Sequence, residues 1–105
     1  MPSDRLEALK SLVSQKPDDL FARYGLAMEY AKTGDWESAL AEFRTLLERN
    51  PDYVAAYYQG GQALERLSRL EEAGGMYRQG IEAATRTGNL HARGEMQAAL
   101  DVLGV

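Results

Sequence analysis

Apolar residues recur at intervals of three and four along most of the chain, and short polar breaks interrupt them at near-regular spacing. The segment GDWESALAEFRTLLERNPDY, from Gly34 to Tyr53, shows the pattern most fully. Trp36, Ala39, Leu40, Phe43, Leu46 and Leu47 fall on one side of a helix. Asp35 is placed to cap its first turn. Asn50-Pro51 ends it, because proline restricts the residue before it and offers no N–H. These signals predict a helix over about 36–49. A helix over about 20–33 precedes it, capped by Asp18 or Asp19 and closed by Gly34, the residue type that accepts a left-handed conformation past a helix end. Asp52 is expected to cap a third helix reaching about residue 67. Ser68 with Glu71 reads as a capping box opening a fourth, to about 87. Gly88-Asn89 breaks the chain again. At the ends, Asp4 with Glu7 reads as another capping box before the stripe Leu6, Leu9, Leu12 and Val13. Leu90, Met96, Ala99, Leu100 and Leu103 form the apolar side of a last helix. No alternating strand pattern competes, so the expected class is all-α.

The helices recur. Shifted by 34 residues, Pro17-Asp18 falls on Pro51-Asp52, Ala22 on Ala56, Tyr24 on Tyr58, and Ala27 on Gly61. Ala39 falls on Ala73, Phe43 on Tyr77, Arg44 on Arg78, Leu47 on Ile81 and Glu48 on Glu82. Size pairs with size and charge with charge. Each period is a helix-turn-helix, and such units bury their apolar faces only by stacking. Leu9, Leu12, Val13 and Pro17 stand one period before Phe43, Leu46, Leu47 and Pro51, so the first helix reads as the second half of a unit. The expected layout is one domain over 1–105: a half-unit over 3–16, full units over 18–51 and 52–85, and a capping helix over 88–105. Gly94-Glu95 stands where a third unit would repeat Gly60-Gly61.

This period and its residues resemble the tetratricopeptide repeat family, whose pattern is W-x2-L-G-x2-Y, then A-x3-F, then P. The first unit has Arg23, Leu26, Ala27, Tyr30, Ala39, Phe43 and Pro51 at those places, with Arg23 the outright departure. The second has Tyr57, Gly60, Gly61, Leu64, Ala73 and Tyr77, with Gly60 and Thr85 departing. The resemblance implies about six helices in a right-handed superhelical stack of antiparallel pairs. It also implies a concave groove lined by the first helix of each pair.

Composition narrows the function. The 105 residues are 45% hydrophobic and 27% charged, an ordinary balance for one globular domain. Net charge is −4 with no basic block, which removes the electrostatic footprint of a nucleic-acid binder. No apolar run approaches the roughly 20 residues that span a bilayer. Zero cysteines exclude disulfides and thiol chemistry. The acidic, amphipathic start lacks the basic head and apolar run of a signal peptide, so a cytoplasmic location is expected. His91 is the one histidine and has no partner motif. The glycine pairs lack the strand and the Gly-Lys-Ser/Thr ending of a phosphate loop. Glu71-Glu72 suits a helix N-terminus better than a metal. No catalytic residue, metal or cofactor is expected.

The resemblance instead implies a module that binds a peptide of a partner protein in the groove, as a monomer or weak homodimer. Carried onto this chain, the groove residues are Phe21, Tyr24, Gly25, Met28 and Lys32 in the first unit. They are Ala55, Tyr58, Gln59, Gln62 and Arg66 in the second, with Asn89, Arg93 and Met96 from the last helix. One subfamily grips a chaperone's C-terminal carboxylate with Lys, Asn and Arg side chains. Those places hold Tyr24, Met28, Gln59, Asn89 and Arg93, and only Arg93 matches, so the expected groove is aromatic and neutral. The alternative is an assembly scaffold associating through its terminal helices. Gly74, Gly75 and Gly80 are expected either to weaken the fourth helix or to let the last helix approach closely.

Overall fold

The computed structural model describes residues 4–105. Local chemistry at the breaks sets its helices. The Ala22 amide donates to Asp19 Oδ1 (3.0 Å), which caps α2 (Leu20–Lys32). The Ser38 amide donates to Asp35 Oδ1 (3.2 Å), capping α3 (Trp36–Arg49). Each such cap is worth about 1 kcal/mol. With α1 (Asp4–Gln15), α4 (Val54–Arg66), α5 (Leu70–Thr87) and α6 (Leu90–Leu103), the described residues form six helices and no strand. Each helix packs antiparallel to the next, and α6 also touches α4. The result is the expected all-α superhelical stack of helix pairs. No helix among the described residues is long and apolar enough to cross a membrane.

Three expected caps are used differently. Asp4 is already inside α1, where with Glu7 it adds negative charge to the first turn. The expected start of the half-unit at residue 3 lies outside the described residues. Asp52 does not cap α4. Tyr53 holds the cap position without a side-chain bond, and the Asp52 carboxylate accepts from Arg86 Nε (3.0 Å) and Nη2 (2.8 Å). Ser68 does not open α5 either. It stands one period after Gly34 and adopts the same left-handed conformation, φ 59° against 84°. Arg69 then precedes α5 with no side-chain cap.

The core follows small-against-large pairing. Ala27, Ala39 and Ala73 are fully buried, as are Phe43 and Tyr77, the large residues of the two units. Burying each ring removes apolar area worth roughly 1.5–3 kcal/mol. Gly61 lies under the Tyr77 ring, where an added Cβ would come within 2.6 Å of Cζ, so only glycine fits.

The outright departure from the repeat pattern, Arg23, has a compensating partner. Tyr57, one period later, donates its hydroxyl to the Pro51 carbonyl at 2.7 Å. Arg23 Nη2 donates to Pro17 O, the equivalent carbonyl, at 3.2 Å. Its Nη1 donates to Glu42 Oε1 at 2.8 Å. Glu42 is the counterpart of the buried Met76. An ion pair in the first unit therefore stands at the positions that a tyrosine and a methionine of the apolar core hold in the second.

The last pair breaks the period. α4 starts 34 residues after α2, but α6 starts 36 after α4. The cause is α5, which runs 18 residues against 14 in α3 before Gly88 turns left-handed (φ 75°). Counted from the helix starts, Met96-Gln97 rather than Gly94-Glu95 replaces Gly60-Gly61. Met96, expected on the groove, is fully buried instead. It packs on Gly80, where a Cβ would also fall 2.6 Å from Tyr57 Cβ. The glycine in α5 thus lets α6 approach.

Candidate functional site

The first helix of each pair, α2, α4 and α6, is the element expected to carry a binding face. Their exposed side chains form two separate depressions rather than one even groove.

The first depression lies between α1 and α2 and contains Phe21, Tyr24, Met28 and Lys32 of the predicted set, with Gly25. Phe21 is 80% exposed, so it lines this hollow without being covered by α1. Tyr24 is half-buried. It stacks on Tyr53 (centroids 5.4 Å apart) and meets Phe43 edge-on (5.9 Å). Burial raises its hydroxyl pKa, the Tyr53 hydroxyl adds to the rise, and a hydrogen bond from Gln59 opposes it. The Tyr24–Tyr53 stack ties α2 to the start of α4. Arg5, Leu9 and Leu12 supply the α1 wall and were not foreseen as site residues.

The second runs between α4 and α6 as two adjoining hollows. Tyr58, Gln59 and Gln62 line them, as predicted, with Glu65 beside them on α4. Gln62 Nε2 donates to the Tyr77 hydroxyl (2.8 Å), and that hydroxyl donates to Glu65. The second unit's tyrosine therefore sends its hydroxyl up to fix the floor, which Phe43 cannot do. Burial raises the Tyr77 pKa well above the ordinary tyrosine value, and donating to the neighbouring Glu65 carboxylate adds to the rise.

On α6 the predicted residues part company. Asn89 borders the hollow, but its Oδ1 accepts from the Ala92 amide (3.1 Å) and caps α6. Arg93 lines neither hollow. His91, Glu95, Ala98 and Val102 stand there instead. The two-residue shift of α6 carries Arg93 to the position of Arg23 and puts Glu95 at that of Gly25. The extra turn before Gly88, with Thr85 where proline ended the first unit, was the available signal. Arg66 is occupied too, with its guanidinium 5.3 Å over the Trp36 ring. The expected neutral groove is corrected by Glu65 and Glu95, which make this half acidic. Among the described residues, no group of three His, Asp or Glu side chains is placed to hold a metal.

Comparison with known proteins gives a consistent outcome. The sequence model described as tetratricopeptide repeat matches residues 24–89. A tetratricopeptide repeat domain protein from Salinibacter ruber, solved by NMR, is 42% identical, with 84% of this chain and 89% of that one covered and a TM-score of 0.79. PcrH, crystallised with the chaperone binding region of PopD, is similar at 14% identity over 94% of this chain and 75% of that one (TM-score 0.89). The TPR2B domain of yeast Sti1, solved as a pHsp70 complex, is similar at 17% identity over 94% and 79% (TM-score 0.87). At such identities the last two speak for the fold.

Proposed function

The chain belongs to the tetratricopeptide repeat family, and on that premise we propose that it binds a peptide segment of a partner protein across α4 and α6. Domains of this family are generally non-catalytic protein-interaction modules. Two neighbours in fold were solved with partner segments bound. The repeat units are taken as 18–51 and 52–85, flanked by one helix on each side.

The observation that carries the reading is the juxtaposition on the α4–α6 trough. Tyr58 is half-buried there, while Val102, facing it from α6, is 86% exposed. An amphipathic ring and an open aliphatic group give a segment contact area at low entropy cost. Gln59 and Gln62 keep an amide oxygen for backbone N–H groups. Glu65 and Glu95 favour a segment carrying lysine or arginine. The test is a displayed random-peptide library panned on the protein. Enriched sequences should be basic, and Tyr58→Ala should weaken their binding about tenfold. Enrichment of acidic peptides, or binding indifferent to Tyr58→Ala, defeats the reading.

Self-association through terminal helices is the second reading, favoured by the exposure of Phe21 and Leu12 at one edge. Light scattering over a concentration series separates the two. A mass constant at one 11.6 kDa chain supports the peptide trough, and a mass that doubles supports self-association.

A further inference from the structure

The α1–α2 depression repeats, one period earlier, a place that the chain itself fills with a helix. Its α1 wall is Arg5, Leu9 and Leu12. Thirty-four residues later these positions are Ala39, Phe43 and Leu46, all fully buried. What covers them is α2, packed on α3 and joined to the start of α4 through the stack of Tyr24 on Tyr53. The α2 wall of the depression has the same relation to α4: Phe21 and Met28 stand where α4 has Ala55 and Gln62. Helices α1 and α2 thus present the two walls that α3 and α4 present to α2, but with nothing between them among the described residues. The hollow measures about 460 Å³.

We propose that this depression takes an amphipathic α-helix of a partner protein, antiparallel to α1, with acidic residues in its C-terminal half. The direction follows from the template, since α2 runs antiparallel to α3. The charge follows from the two basic side chains at one end of the walls, Arg5 and Lys32. Arg5 stands where α3 has the small Ala39, so an incoming helix meets a guanidinium in place of a methyl group. Glu29 engages Arg5 at 3.2 Å, and Asp19 is spent on capping α2. Lys32, at the same end as Arg5, makes no ion pair among the described residues and is left to meet a carboxylate. A second copy is the poorer occupant. Counted from the helix starts, the outer face of α6 has Gln97 and Asp101, hydrogen-bonded at 2.9 Å, where α2 has Ala27 and Ala31. A polar pair cannot replace two small apolar residues against an apolar wall.

This assignment rests on the chain being an interaction module but uses a surface separate from the α4–α6 trough. The probe is a synthetic, fluorescently labelled peptide of residues 19–33, the helix that fills the equivalent place one period on. It carries Ala27→Glu to compete with Glu29 for Arg5, and keeps a free C-terminal carboxylate to meet Lys32. Binding to the full chain is followed by anisotropy, and peptide helicity by circular dichroism. The expected result is saturable binding with a gain of helicity. Phe21→Asp and Lys32→Glu should each weaken it about tenfold, whereas Tyr58→Ala should leave it unchanged. Phe21 is exposed, so its substitution spares the fold. No saturable binding up to about 1 mM overturns the proposal. So does binding indifferent to Phe21→Asp, or a molar mass that doubles with concentration and stays single in Phe21→Asp. Sensitivity to Tyr58→Ala alone would overturn it while favouring the trough.

Discussion

Transplanting the second unit's buried pair into the first tests how this chain tolerates a charge in its core. The perturbation is Arg23→Tyr with Glu42→Met, which writes Tyr57 and Met76 one period earlier. The Arg23 side chain is 10% exposed and that of Glu42 22%. Removing one partner of a fully buried pair costs about 3–5 kcal/mol. Glu42→Met strands Arg23, whose Nε already has no partner, with only the Pro17 carbonyl. A loss of about 3 kcal/mol is expected. Arg23→Tyr should keep a bond to Pro17 O, as Tyr57 does to Pro51 O, but leaves Glu42 facing a ring. Because Glu42 still reaches water, about 2 kcal/mol is expected. Together the substitutions remove both charges and restore an apolar contact that the second unit already packs. The double variant should match or exceed the parent by up to about 2 kcal/mol, a coupling of about 5 kcal/mol or more. Urea unfolding followed by far-UV circular dichroism measures this as a shifted midpoint at constant slope. A double variant as unstable as the sum of the singles would refute the substitution of one pair for the other.

Ser68→Gly should stabilise the protein by about 1 kcal/mol in the same assay, because a left-handed serine carries a steric cost that glycine lacks. Two glycines of α5 should respond with opposite sign. Gly75→Ala meets open space and should add up to about 1 kcal/mol, while Gly80→Ala drives a methyl group into Met96 and Tyr57 and should cost about 1–3 kcal/mol. Stability should also fall in alkali. Tyr77, Tyr24, Tyr53 and Tyr57 all have hydroxyl pKa values raised by burial from 10.0, so the unfolded chain releases these protons first. The contribution is intact below pH 10 and is lost as pH rises through the folded values. Tyr77→Phe should flatten that decline in a pH series of unfolding midpoints, and an unchanged slope would count against it.

The helices were legible because their signals are local. Asp19, Asp35, Gly34 and Asn50-Pro51 act within a turn of the boundary they set, and α3 spans the predicted residues. The 34-residue period was legible for the same reason a stack needs it: equal units meet equal neighbours. The small positions Ala27, Ala39, Gly61 and Ala73 followed from that period and all became core.

Tertiary structure decided everything that depends on what a side chain meets far along the chain. Asp52 had the sequence of a cap, but Arg86 of the longer α5 takes its carboxylate. Ser68 had the sequence of a capping box, but the turn places it in Gly34's conformation. Arg23 looked like a departure until Glu42 stood opposite it. The register of α6 is the clearest case. Two additional residues between helix starts rotate the last helix by about 200° relative to the 34-residue count. That rotation buries Met96, turns Arg93 away from both hollows and brings Glu95 and Val102 to the trough. A strict period carries residues faithfully only while every helix keeps its length, and α5 does not.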